Sequence, residues 1–131
     1  MEGLSLSLKK GQGEEKLFGI KVSRIINILH LLFMDDVLIM TKSSIEEWKE
    51  INKILDGFCS ATDLMINVQK STSLHSEVQQ GTLEYLKELF QYNFNDLSEG
   101  FTYLGFFLKP NNHKVEDWHW LISKFEKRIR H

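Results

Sequence analysis

The chain has 131 residues, 42% of them hydrophobic, and a formal net charge of −2. That length suits one domain or a part of a larger one, and the near-neutral charge excludes a global pull toward nucleic acid, leaving any such contact to local patches. A single cysteine, Cys59, excludes an internal disulfide, no apolar run approaches the ~20 residues of a membrane-spanning helix, and the opening Met1-Glu2-Gly3-Leu4-Ser5 does not resemble a secretory signal.

In chain order the pattern predicts an α+β arrangement. Residues 2–10 form a short helix carrying Leu4 and Leu8, interrupted by Gly11 and Gly13. Residues 19–23 alternate as a short strand, residues 25–33 form a second, and residues 37–41 return. Ser43 with Glu46, or Ser44 with Glu47, can form a capping box for a helix reaching about Ala61. Ile45, Trp48, Ile51, Leu55, Phe58, Cys59 and Thr62 recur on its apolar face, while Glu46, Glu47, Lys49, Glu50, Lys53 and Asp56 fall on its solvated sides.

Residues 63–68 read as a helix exit and a short strand, followed by Gln69-Lys70-Ser71-Thr72. Residues 82–91 form another helix with Leu83, Leu86, Leu89 and Phe90 apolar, and residues 93–100 read as a polar loop. Residues 101–108 are a β segment with a central glycine, which marks a bend or a close backbone approach. After a turn at Pro110, the tail from Val115 is helical, with Trp118, Leu121, Ile122, Phe125 and Ile129 on one face and Lys124, Lys127, Arg128 and Arg130 around the rest. A basic helix with aromatics suits a phosphate backbone and equally suits a solvated surface.

The strongest chemical signal is Leu31-Leu32-Phe33-Met34-Asp35-Asp36-Val37-Leu38-Ile39-Met40, two adjacent acids between apolar runs. Two carboxylate charges ~5 Å apart repel by ~3 kcal/mol at an effective dielectric of ~20. A divalent cation turns that repulsion into attraction, and Mg²⁺ shares carboxylate oxygens with substrate phosphates, which points to two-metal phosphoryl or nucleotidyl transfer. The plain alternative is that turn-tolerant acids simply close a hairpin. A phosphate-accepting receiver domain also places an acid pair after an apolar strand. It would then need a helix and an apolar strand ending in Asp, whereas here a second strand follows the acids at once.

Four blocks in one order carry a resemblance to a known family. They are Leu29-His30-Leu31-Leu32-Phe33-Met34-Asp35-Asp36; Leu55-Asp56-Gly57-Phe58-Cys59-Ser60-Ala61 leading to Leu64-Met65-Ile66-Asn67 and Lys70-Ser71; Phe101-Thr102-Tyr103-Leu104-Gly105; and the segment from Trp118 to Arg130. Together they resemble the reverse transcriptases of non-LTR (LINE-type) retrotransposons, particularly plant-type copies. The first block is similar to the catalytic hairpin usually written F-A-D-D. The second is similar to a helix followed by G-L-x-I-N-x-x-K-S, the third to the Y-L-G hairpin that grips the primer, and the fourth to the start of the thumb. The match covers nearly the whole chain.

The resemblance implies a partial polymerase palm over residues 1–108 and the start of a thumb-like helical region over residues 109–131. It implies catalytic, metal-binding carboxylates at Asp35 and Asp36, with Asp36 the less direct ligand. It places Lys70 near an incoming deoxynucleoside triphosphate and Tyr103, Leu104 and Gly105 at the primer end. The implied cofactor is Mg²⁺, with Mn²⁺ as a substitute, the implied partners are an RNA template and a DNA primer, and the implied location is the nucleus or cytoplasm, with no membrane partner. Without the resemblance, Lys70 is a surface lysine and Gly105 a strand bend.

Two residues depart from the family pattern: Met34 stands where a small residue is usual, and Asp63 where glycine commonly follows the helix. The fingers, an earlier strand with its own catalytic Asp, and most of the thumb have no counterpart in these residues. Asp56, Asp63, Asp96 and Asp117 do not follow an apolar strand able to pair beside the hairpin, and His30, His75, His113, His119 and His131 show no zinc spacing with cysteine. Two readings follow: a reverse transcriptase fragment inactive alone, or a non-catalytic α+β binding module derived from the palm.

Overall fold

The computed structural model describes residues 1–42 and 44–130. It is a mixed α+β chain whose first layer is built by α1 (Glu2–Gly13) and α2 (Ile45–Thr62). Leu4 and Leu8 lie one turn apart on α1, so both point at α2. With Leu17, Leu29 and Ile51 they form the main core, and Val37, Ile39, Ile54, Leu55 and Phe58 pack around it.

The first helix is longer than the glycines suggest. Gly11 is buried within α1, and a Cβ there would meet Leu17 Cδ1 at 3.0 Å and Ile54 Cδ1 at 3.3 Å. It lets two elements approach rather than stopping the helix.

The strand expected over residues 25–33 is split. β1 (Ile20–Lys21) pairs antiparallel with β2 (Asn27–Ile28), and β3 (His30–Phe33) pairs antiparallel with β4 (Asp36–Ile39). The break falls at Leu29, which is 3% exposed. Its side chain enters the core while its carbonyl accepts from Met40 N at 2.7 Å.

Helix α2 starts at Ser44, whose Oγ accepts from Glu47 N at 3.2 Å; the alternative cap, Ser43, lies outside the described residues. Glu47 overturns the expectation of a solvated charged side, being only 2% exposed. Oε1 accepts from Phe18 N at 2.9 Å and Oε2 from Lys42 N at 3.0 Å. Both N–H groups lie outside the strand ladders, so the carboxylate supplies partners they otherwise lack. Trp48, Leu55 and Phe58, expected to be buried, are half-buried. Trp48 instead carries the contact to the next unit, with ring centroids 6.0 Å from Phe90 and 5.8 Å from Phe94.

That unit is a small βαβ crossover. β5 (Thr72–His75) and β6 (Asn93–Asp96) pair parallel, with α3 (Gln80–Leu89) between them burying Leu83 and Leu86. Two readings change here. Residues 63–68 contain no strand, and Leu64 and Met65 are exposed. Residues 93–100, read as loop, hold β6 and a 3-10 turn, Leu97–Glu99, because parallel pairing with β5 satisfies a polar backbone that its own side chains would not place in a sheet.

β7 (Phe101–Tyr103) and β8 (Phe106–Leu108) form a last antiparallel pair. A 3-10 turn, Val115–Trp118, leads into α4 (His119–Ile129). Lys109 Nζ lies 3.1 Å from Asp117 Oδ2, which also accepts from Lys114 N at 2.7 Å, fixing that turn to the end of β8. The Lys114 amide, chiefly, holds the Asp117 carboxyl below its ordinary range. The apolar face of α4 is exposed at Ile122, Phe125 and Ile129, as is Trp118 just before it.

Among the described residues the strands thus form four separate two-stranded ladders. The accessible surface is 10008 Å² for 15.4 kDa, against roughly 7,200 Å² for a compact monomer of that mass. Only part of the available apolar surface is collected into cores.

Replacing Glu47 by Ala is expected to cost ~2–4 kcal/mol, because two backbone N–H groups lose charged acceptors. Gly57→Ala is expected to stabilise by ~0.5–1 kcal/mol, since α2 is unbroken there and a Cβ meets nothing within 4 Å. Urea unfolding midpoints of the two variants check both signs.

Candidate functional site

The acids occupy the tip of the β3–β4 hairpin. Phe33 pairs with Asp36, which leaves Met34 and Asp35 as the two turn residues. Met34 has φ 53° and Asp35 is not among the positive-φ residues, the φ pattern of a type II′ turn, whose first central position favours glycine. A methionine there is strained by ~1–2 kcal/mol. Its side chain projects into solvent, 79% exposed.

The hairpin has two unlike faces because side chains alternate. His30 pairs with Ile39 and Leu32 with Val37, and Val37 and Ile39 pack on the core. Leu31 pairs with Leu38 and Phe33 with Asp36 on the other face, where Leu31 and Phe33 are exposed. Both acids are exposed. The tip therefore presents two carboxylates beside an apolar outer face.

The base of the hairpin is anchored on α1. Ser5 Oγ and His30 Nε2 are hydrogen-bonded at 2.8 Å, and His30 Nδ1 is buried with no hydrogen-bond partner among the described residues. Burial, with a smaller contribution from Lys9, pushes the His30 pKa below its ordinary 6.5.

Lys70 ends a 3-10 turn, Val68–Lys70, capped by Asn67, whose Oδ1 accepts from Lys70 N at 3.2 Å; its side chain is exposed. Tyr103, Leu104 and Gly105 lie at the tip of the β7–β8 hairpin. Leu104 has φ 51° and Gly105 φ 78°, and two consecutive positive φ values are the signature of a type I′ turn. Lys124 from α4 donates to the Gly105 carbonyl at 2.8 Å.

The structure thus brings Asp35 and Asp36 together at one tip, and Tyr103, Leu104 and Gly105 at another. Neither the Lys70 turn nor the β7–β8 hairpin packs extensively on the acid hairpin among the described residues. Asp96, expected in a loop, instead ends β6, with Oδ1 accepting from Ser98 N at 2.8 Å, on a ladder separate from the Asp35 hairpin. Carboxylate oxygens are hard donors that suit Mg²⁺. Among the described residues no group of three or more His, Cys, Asp or Glu gathers around a common point, so Asp35 and Asp36 offer part of a coordination shell.

Three positioning groups escaped the sequence: Glu47, the Ser5–His30 pair and Lys124. Glu47 carried a signal, the capping-box spacing from Ser44, but nothing local tells that its carboxylate is buried. The other two contacts join residues 25 and 19 positions apart, and no local pattern encodes them.

The chain matches no family model, and no curated protein or solved structure matches it.

Met34→Gly is expected to stabilise the chain by about 1 kcal/mol by relieving the positive φ, measured as a rise in the urea midpoint. For His30 the depressed pKa fixes the sign: below pH 6.5 the unfolded chain binds the proton more readily, so stability present above pH 6.5 falls as the pH drops through it. Comparing unfolding at pH 7.5 and 5.5, His30→Gln, which cannot titrate, should reduce that loss.

Proposed function

We propose that this chain is part of the palm and the thumb start of an RNA-directed DNA polymerase of the non-LTR retrotransposon type, contributing two metal-binding carboxylates, Asp35 and Asp36, and a primer-holding turn. The observation that supports this most is the acid pair at the exposed tip of a strained two-residue hairpin. Backbone strain concentrates at functional sites, and here it falls on the residue beside the acid pair. The apolar inner face fixes the hairpin on the core, while the outer face leaves the carboxylates accessible.

In this reading Asp35 is the more direct ligand and Asp36 supports it. Bound Mg²⁺, or Mn²⁺ in its place, would supply activation of a primer 3′-hydroxyl and charge neutralisation at the triphosphate. Lys70 would approach the triphosphate, and Tyr103, Leu104 and Gly105 would set the primer end against an RNA template. The second reading, a non-catalytic α+β interaction module, is favoured by the exposed apolar residues Leu31, Phe33 and Met34 around the acids.

The test has two parts. Mn²⁺ titration followed by broadening of backbone amide resonances is expected to show a weak site at residues 33–37 that Asp35→Asn removes. Broadening that is absent, or unchanged in the variant, refutes the metal assignment. Primer extension on an RNA template with Mg²⁺ or Mn²⁺ is expected to stay at background. Two carboxylates under-ligate two metals, and misalignment of the attacking hydroxyl alone costs ~100-fold. Robust extension that vanishes in the Asp35→Asn, Asp36→Asn double variant would show instead that the chain completes its own active site.

A further inference from the structure

The tip of the β7–β8 hairpin is held from outside. Lys124 Nζ lies 2.8 Å from the Gly105 carbonyl oxygen, 4.9 Å from the centroid of the Phe106 ring and 5.2 Å from that of Trp120. The two rings meet edge to face at 5.7 Å. An ammonium between two aromatic faces and a carbonyl is attracted by all three. Gly105 suits the site twice over: it takes φ 78° without strain, and a Cβ would stand 3.1 Å from Lys124 Nζ. Leu104, beside it, is held at φ 51°. A type I′ turn with leucine at a positive-φ position is strained, and the lysine supplies a tertiary contact that fixes its peptide orientation.

Other cations of α4 are placed differently. The side chain of Lys127, three residues on, makes no hydrogen bond, ion pair or ring contact among the described residues. It is a free surface charge on the same helix, and so a matched control.

We propose that Lys124 is the positioning residue for the Tyr103-Leu104-Gly105 turn, locking it to α4 so that hairpin and helix meet a primer–template duplex as one body. The inference rests on the reading of this turn as the primer-holding segment. Lys124 acts through Gly105: its contribution is to the geometry of the primer end, beyond the charge it shares with Lys127.

The experiment uses the whole chain and fluorescence anisotropy with two probes, an RNA–DNA duplex with a recessed DNA 3′ end and a blunt duplex of equal length. Lys124→Met is expected to weaken binding to the recessed duplex roughly tenfold, more than loss of one phosphate-contacting cation, and to abolish its preference over the blunt one. Lys127→Met should weaken both equally and keep the preference, and Lys124→Arg should restore most of it. Hydrogen exchange at the Gly105 and Phe106 amides should quicken in Lys124→Met alone, with unchanged helical circular dichroism reporting an intact fold. Equal losses in Lys124→Met and Lys127→Met with the preference kept, or exchange unchanged at the turn, would overturn the inference and leave the primer reading standing. Failure of the unsubstituted chain to bind either duplex would overturn the primer reading and the inference with it.

Discussion

A single buried carboxylate holds the first half of this chain in place. Glu47 sits in the first turn of α2, where a negative charge is favoured by the exposed N–H groups of the helix start. Its two oxygens accept from the amides of Phe18 and Lys42, one just after the fully buried Leu17 and the other at the exit of the acid hairpin. Burying an ion is costly unless hydrogen bonds satisfy it. Here the satisfied ion fixes the relative positions of the segment after α1, the end of β4 and the start of α2. The hairpin that carries Asp35 and Asp36 inherits its orientation from that junction and from the Ser5–His30 hydrogen bond at its base.

The two hairpin tips share a physical character. Each turns in two residues and each sets a bulky side chain, Met34 or Leu104, in a left-handed backbone conformation. Unfavourable turn residues persist where the flanking strands over-determine the turn. For the acid hairpin the determinants are the four cross-strand pairs and the packing of Val37 and Ile39. For the second, three cross-strand pairs are joined by the lysine reaching over from α4. Asp63, where glycine would be at ease, also takes a positive φ, 57°, at the end of α2.

The C-terminal unit depends on polar and aromatic contacts more than on burial. None of the residues of α4 is buried, and the helix is attached through Lys124, Trp120 and the Lys109–Asp117 pair at its approach. Much of its apolar face stays in water, as do Leu31 and Phe33 on the acid hairpin. This distribution gives the chain its large accessible surface, with its small core concentrated between α1, α2 and the inner face of β3–β4.

The sequence by itself determined the α+β class, helix α2 with a start at Ser43 or Ser44, the apolar pairs of α1 and α3, and the acid hairpin, because each is written in a local period or a turn signal. Asp63 stood out in the sequence only against the glycine of the resembled family, and the left-handed exit it takes is seen in the structure. Tertiary structure decided the rest. Gly11 reads as a breaker but serves as the place where Leu17 and Ile54 close on α1. The apolar run over residues 25–33 is divided because Leu29 is drawn into the core, and a polar segment becomes β6 because β5 lies beside it. Glu47 looks like any charged helix residue until two distant amides converge on it. Periodicity records which side of an element is apolar; where a distant backbone needs a partner or space is set only when the chain has closed on itself.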